Sequence, residues 1–194
     1  MRKYAQKVLA AFLAVLLLCG LCACADKPKA ITEFNQLAEL AAGLDFAPKY
    51  LQSFANGFQF TSAELIEYDG VESLALGYRE PQSGEEISLY MQGKPNVEEA
   101  LPPDAQEQQV GEILLTYYSR THKFVPTDYE PTAADEAAVE AGPLLISFGS
   151  SEVDEQLSSS VSWQADGVYY QLTGMDLSLS AEEMLTMATE IIEN

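Results

Sequence analysis

Apolar residues recur at helical spacing near both ends of the chain and alternate with polar residues between them. Near the start, the helical set is Ile31, Phe34, Leu37, Ala38 and Ala41. This spacing predicts a helix from residue 32 to about residue 43, with Thr32 as its N-cap and Gly43 as its stop. Residues 46–60 contain Pro48 and Asn56-Gly57, so we expect them to pack their aromatic side chains without forming one regular helix.

Alternating positions in the middle of the chain predict strands with one buried face. The clearest sets are Leu74, Leu76 and Tyr78 on one strand and Ile87, Leu89 and Met91 on the next. Asp69-Gly70 and Asp166-Gly167 separate apolar runs and predict tight hairpins, because both turn positions favour positive φ. Residues 113–118 predict a strand with both faces covered, residues 144–148 and 161–163 predict two more strands, and residues 135–140 predict a short helix.

The C-terminal residues predict an amphipathic helix. Ser180 is followed three residues later by Glu183, which is a capping box. The apolar stripe consists of Ala181, Met184, Leu185, Ala188, Ile191 and Ile192. With no βαβ pattern evident, the order of elements predicts an α+β fold: an antiparallel, hairpin-rich sheet flanked by an N-terminal and a C-terminal helix, in a single domain over residues 31–194.

The first 24 residues predict export and anchoring. A basic head with Arg2, Lys3 and Lys7 precedes an apolar run over residues 8–18, which is typical of a secretory signal. The stretch "LCAC", residues 21–24, resembles a bacterial lipobox. The resemblance implies a signal peptide over residues 1–23, diacylglycerol on the Cys24 thiol and a tether over residues 24–30. An uncleaved anchor helix over residues 8–25 is the alternative. Both place the domain on the outer face of a bacterial cell membrane.

Cleavage and charge limit the chemistry of the mature chain. Cys19 and Cys22 would leave with the signal peptide, so disulfides, thiolate metal sites and cysteine nucleophiles are not expected. Loss of residues 1–23 would remove three of the 10 basic residues and none of the 30 acidic ones, giving a formal charge of −23. Because phosphate backbones repel such a surface, we expect no nucleic-acid partner.

Residues 160–192 carry a family resemblance. Trp163, Asp166-Gly167, Tyr169-Tyr170 and a helix led by paired Glu residues resemble the closing signature of a domain-of-unknown-function family. That family occurs in Gram-positive envelope lipoproteins and in the extracytoplasmic parts of anti-sigma-factor-like proteins. Residues 48–60 are similar to its Pro-Tyr-Leu-Pro-x-Gly-Phe entry segment, with Ser53 or Phe54 at the second Pro. The resemblance implies a small envelope module and assigns no catalytic residues.

The remaining residues predict no catalytic centre, metal site or cofactor. His122 is the single histidine, and no Gly-x-Ser-x-Gly turn or glycine-rich phosphate loop accompanies it. Tyr117-Tyr118 and Tyr169-Tyr170 are adjacent pairs on predicted strands, so the two members of each pair point to opposite faces. We expect one member of each pair in the core and the other, Tyr118 in the first pair and Tyr169 in the second, exposed. These two tyrosines form a candidate aromatic surface that binds an envelope protein, peptide or glycan.

The function predicted from these features is a non-catalytic, membrane-tethered extracytoplasmic binding or sensing module. Besides the membrane reached through lipidated Cys24, its predicted partner is an envelope protein or peptide. A carrier of a hydrophobic ligand, with a helix covering a concave sheet, is the alternative. An envelope glycan-acting hydrolase ranks third.

Overall fold

The structure is a computed structural model that describes residues 30–68, 70–93 and 101–194. The predicted signal peptide, Cys24 and all but the last residue of the tether lie outside this range, as does Asp69 of the first predicted turn. The strands are β1 (Ala30–Ile31), β2 (Gln59–Tyr68), β3 (Val71–Arg79), β4 (Glu86–Gln92), β5 (Gln106–Val110), β6 (Ile113–Val125), β7 (Leu144–Phe148), β8 (Asp154–Ala165) and β9 (Val168–Met175). The helices are a 3-10 turn (Phe34–Gln36), α1 (Leu37–Ala41), α2 (Ala133–Ala141) and α3 (Ala181–Glu193).

The nine strands of the described residues form one largely antiparallel sheet, as an α+β fold requires. The order across the sheet is β1-β2-β3-β4-β9-β8-β6. Both β5 and β7 pair with β6 on its outer side: β5 pairs with residues 113–117 and β7 with residues 121–125. The long strand β6 therefore carries two short strands end to end along one edge.

One pairing differs from the prediction. Strand β7 is parallel to β6, and α2 lies between them in the chain, so β6-α2-β7 is a βαβ crossover. The prediction that the chain lacks such a unit is wrong at this point. The second half of β6 was not predicted, because residues 119–123, "SRTHK", contain no alternating apolar residues that would indicate a strand.

The N-terminal helix is shorter than predicted. Ile31 pairs with Ala63 of β2, which keeps the chain extended where the helix was expected to begin. Helical structure starts at Phe34, so the N-cap position is Glu33 and the predicted Thr32 cap is wrong; Glu33 makes no side-chain capping bond. The α-helical part ends at Ala41, before Gly43.

The two predicted tight turns are present. Tyr68 pairs with Val71 across the first turn, where Gly70 has a φ of 73°. Ala165 pairs with Val168 across the second, where the φ angles of Asp166 and Gly167 are 52° and 78°. These positive values are the ones that a two-residue hairpin turn demands, and they explain the Asp166-Gly167 dipeptide and the glycine of the first turn.

The core lies between one face of the sheet and the helices α1 and α3. The predicted face residues of β3 and β4 are all buried, and α3 contributes Met184, Leu185, Met187, Ala188 and Ile191 to the same cluster. The predicted capping box starts α3: Ser180 N donates to Glu183 Oε2 at 2.8 Å and Glu183 N donates to Ser180 Oγ at 3.3 Å. In the segment over residues 46–58, Phe54 and Phe58 enter the core without forming a helix, as predicted.

Candidate functional site

The sheet face turned away from the core carries polar side chains. We call it the polar face, and it consists of Tyr90, Gln92, Thr116, Tyr118, Arg120, His122, Ser158, Ser160, Ser162, Tyr169, Gln171 and Thr173. Side chains alternate between the two sides of a strand, and the core residues of β4, β6, β8 and β9 occupy the intervening positions, so these residues share the opposite side; Arg120 and His122 continue it along β6 beyond the core. Leu114 and Phe124 of β6 share this side with them.

Strand register brings residues of the polar face into continuous rows. Tyr90, Gln171, Ser162 and Thr116 are successive cross-strand partners, and the row continues to Glu107 on β5. Side chains in neighbouring positions of a sheet face lie within reach of one another. Four strands far apart in sequence therefore present their hydroxyl, amide and phenol groups side by side.

Hydrogen bonds order this face. Gln171 Nε2 donates to Tyr118 Oη at 2.8 Å, and the hydroxyls of Ser160 and Thr173 lie 2.8 Å apart. Tyr90 Oη donates to Gln92 Oε1 at 2.8 Å, and burial raises the pKa of the Tyr90 phenol. Because buried polar groups destabilise a fold unless they are hydrogen-bonded, these bonds keep the face both polar and packed.

The two tyrosines of the predicted aromatic surface lie on this face, but they differ in exposure. Tyr118 is only 2% exposed, so the prediction that it is the exposed member of its pair is wrong. Tyr118 lies buried on the polar face, and Tyr117 lies on the other face, partly buried against the core. Tyr169 is half-buried, and its neighbour Tyr170 is the core member. Strand β8 lies between the strands that carry Tyr118 and Tyr169.

A cationic and an imidazole side chain lie beside Tyr118 along β6. The Arg120 guanidinium is 5.2 Å from the centre of the Tyr118 ring, within the range of a cation–π contact. His122 is fully buried, with Nε2 2.7 Å from Ser147 Oγ of β7 and its ring stacked 4.2 Å from that of Phe124. Burial, together with the charge of Arg120, lowers the His122 pKa to about 4. The imidazole is therefore neutral at pH 7.

A polar cluster fixes α2 against β6. Asp135 accepts hydrogen bonds from Lys123 Nζ at 3.0 Å and Tyr129 Oη at 2.8 Å, and it forms a capping box with Thr132. The backbone N–H of Thr132, with Lys123 and Tyr129, holds the pKa of the Asp135 carboxyl well below its usual range. This cluster anchors the crossover that brings Ser147 to His122.

The described residues offer little for metal chemistry. Among them, no group of three or more His, Asp or Glu side chains is placed to hold a metal ion. Two surface depressions, of about 300 and 550 Å³, lie away from the polar face. Acidic side chains line both: Asp45, Glu67 and Glu72 in the smaller, and Glu182, Glu183 and Glu190 in the larger.

Sequence reasoning missed most of the polar face. Its signal is the alternation of polar residues within otherwise apolar strands, as in "SSSVSW" over residues 158–163 and "YYQLT" over residues 169–173. Such alternation shows that a strand has a polar side. It does not show that four polar sides will be joined.

Comparisons of this chain with protein-family models, with curated proteins and with solved structures found no match.

Proposed function

We propose that this chain is a non-catalytic binding or sensing module, held by lipid on Cys24 at the outer face of a bacterial cell membrane. The tether rests on the lipobox-like "LCAC" stretch and the basic, apolar leader before it. In the described residues, no helix is both long and apolar enough to span a membrane. Most of the polar face is buried. In this proposal, the partner meets its half-buried members, Tyr90, Thr116, Ser162 and Tyr169.

The observation that carries the binding role is the ordered polar face. Its half-buried members, Tyr90, Thr116, Ser162 and Tyr169, offer hydroxyl groups and aromatic rings next to a hydrogen-bonded, immobilised layer. Side chains that are already ordered lose little conformational entropy when a ligand binds. Tyrosine combines apolar area with a polar tip, which suits peptide and glycan surfaces.

Two features of the sheet favour this proposal over the carrier and the hydrolase: the side chains on its core side and the carboxyl groups on its polar face. A carrier needs space between helix and sheet for its ligand, whereas Leu172, Met184 and Ala188 of the sheet and α3 belong to one cluster of buried core residues. A glycosidase uses a facing pair of carboxyl groups, whereas the row from Tyr90 across the polar face reaches the single carboxyl group of Glu107 at its β5 end.

Lipidation is tested by substituting the cysteines one at a time. We expect the wild-type chain extracted from membranes to lack residues 1–23 and to carry the added mass of a diacylglycerol. Cys24→Ala should remove that mass and release the chain from the membrane, since two acyl chains supply the anchor. Cys22→Ala is the matched control and should remain lipidated. A full-length, unmodified wild-type chain would falsify the proposed anchor.

The binding role is tested by photo-crosslinking on intact membranes. A benzoylphenylalanine placed at Tyr169 should crosslink one defined partner molecule. Tyr169 is half-buried on the polar face, so part of its side chain is accessible to a partner bound there. The control is the same probe at Tyr68, which is 53% exposed at the end of β2. Equal crosslinking from both positions, or none from Tyr169, would count against a partner on the polar face.

A further inference from the structure

The two outer edges of the sheet are built differently. On one side, β1 covers part of β2, and a bulge between Phe60 and Ser62 interrupts the regular strand. On the other side, β5 pairs with β6 in unbroken register, and no further strand of the described residues pairs with it. Four of its five residues are exposed. Bulges, covering strands, Pro and Lys all prevent a sheet edge from pairing with another strand. The β5 sequence "QEQQV" contains neither Pro nor Lys.

The hairpin turn determines which residues of β5 face outward. Val110 and Ile113 flank a two-residue turn, so they form a hydrogen-bonded pair. Hydrogen-bonded pairs alternate along an antiparallel ladder, which makes Glu107 and Gln109 members of the other kind of pair. Their backbone N–H and C=O groups point away from β6. The free edge therefore offers two donors and two acceptors in the geometry of a strand.

The surroundings of this edge indicate the chemistry of a partner. Residues 101–119 include three acidic residues, Asp104, Glu107 and Glu112, and no Lys or Arg. On the core side, Val110, Ile113 and Tyr117 are partly buried against the core, so an added strand would cover apolar area there. An extended segment with basic residues on one face and apolar residues on the other is complementary to both features.

We propose that the β5 edge binds an extended, basic segment of a partner protein by strand addition, which deepens the proposed binding role and rests on it. Backbone hydrogen bonds to Glu107 and Gln109 extend the sheet by one strand, while basic side chains of the segment lie beside Glu107. A second copy of this chain is a poor occupant, since it brings the same acidic edge and a formal charge of −20.

A synthetic peptide of alternating Lys and Val, with blocked ends, tests this proposal on the full chain in detergent micelles at low salt. We expect Gln109→Pro to weaken binding about fivefold, because it removes an outward N–H. Methylating the amide nitrogens along one edge of the peptide should weaken binding more than about tenfold without altering the protein. Glu107→Lys should weaken binding about threefold, whereas the charge-matched Glu67→Lys, on an exposed residue of β2 near the opposite edge of the sheet, should leave it unchanged.

Circular dichroism shows whether Gln109→Pro folds; the methylated peptide and Glu107→Lys keep the test decisive if it does not. Equal binding of the plain and methylated peptides overturns strand addition, and so does failure of the plain peptide to bind the wild-type chain. Self-association that depends on Gln109 would assign the edge to a second copy and overturn the proposal. None of these results bears on lipidation at Cys24 or on crosslinking at Tyr169, so the proposed function is judged separately.

Discussion

Replacing Trp163 by Ala is expected to lower the free energy of unfolding by about 3–5 kcal/mol. The side chain is 3% exposed, and its ring stacks on that of Tyr170 with a centroid distance of 5.0 Å. Tyr170 in turn accepts a hydrogen bond from Lys49 N at 3.1 Å, which ties the segment before β2 to the core. Loss of the indole therefore leaves a cavity in the core and loosens this tie.

Chemical denaturation followed by circular dichroism measures this effect, because Trp163 is the single tryptophan and its fluorescence is lost in the variant. The control is Leu157→Ala, on the same strand but 50% exposed, which should change stability by less than about 0.5 kcal/mol. If both variants proved equally stable, the assignment of Trp163 to the core would be wrong.

Acidification below pH 6.5 is expected to destabilise the chain through His122. Its pKa falls from 6.5 in the unfolded chain to about 4 in the folded one, so the unfolded state binds more protons between these values. The stabilisation is complete above pH 6.5 and is lost progressively as the pH falls towards 4. After allowance for solvent screening, it amounts to about 2 kcal/mol.

The measurement compares the wild-type chain with His122→Gln, since glutamine can replace the contact of Nε2 with Ser147 and does not titrate. The stability of both proteins is followed from pH 7 to pH 4. The difference between them isolates His122 from the many carboxyl groups that titrate over the same range. We expect the wild type to lose its advantage as the pH falls. A difference that stays constant with pH would show that the pKa of His122 is the same in the folded and the unfolded chain.

Local features of the fold were predictable because neighbouring residues determine them. The Asp-Gly turns depend on backbone angles within two residues, and the Ser180 box depends on contacts across one helical turn. The alternation along β3 and β4 reflects the period of a strand, whichever strand it pairs with. These features confirm the α+β class and the C-terminal helix.

Features that depend on distant partners were not predictable. The parallel placement of β7 depends on how α2 packs, and the start of α1 depends on pairing between Ile31 and Ala63. The hydrogen bond that the Tyr118 hydroxyl accepts comes from Gln171, 53 positions away in sequence. A strand pattern states that two faces differ, but not which neighbours will cover each face.

The same division applies to the candidate site. By itself, the sequence determined the alternating strands, the two hairpins and the capped final helix, because these follow from backbone angles and side-chain spacing within a few residues. Only the tertiary structure decided that the polar sides of β4, β9, β8 and β6 form one face and that β5 is left at the edge. Strand order and register are set by the packing of the whole sheet against its core, and no short stretch of the chain encodes them.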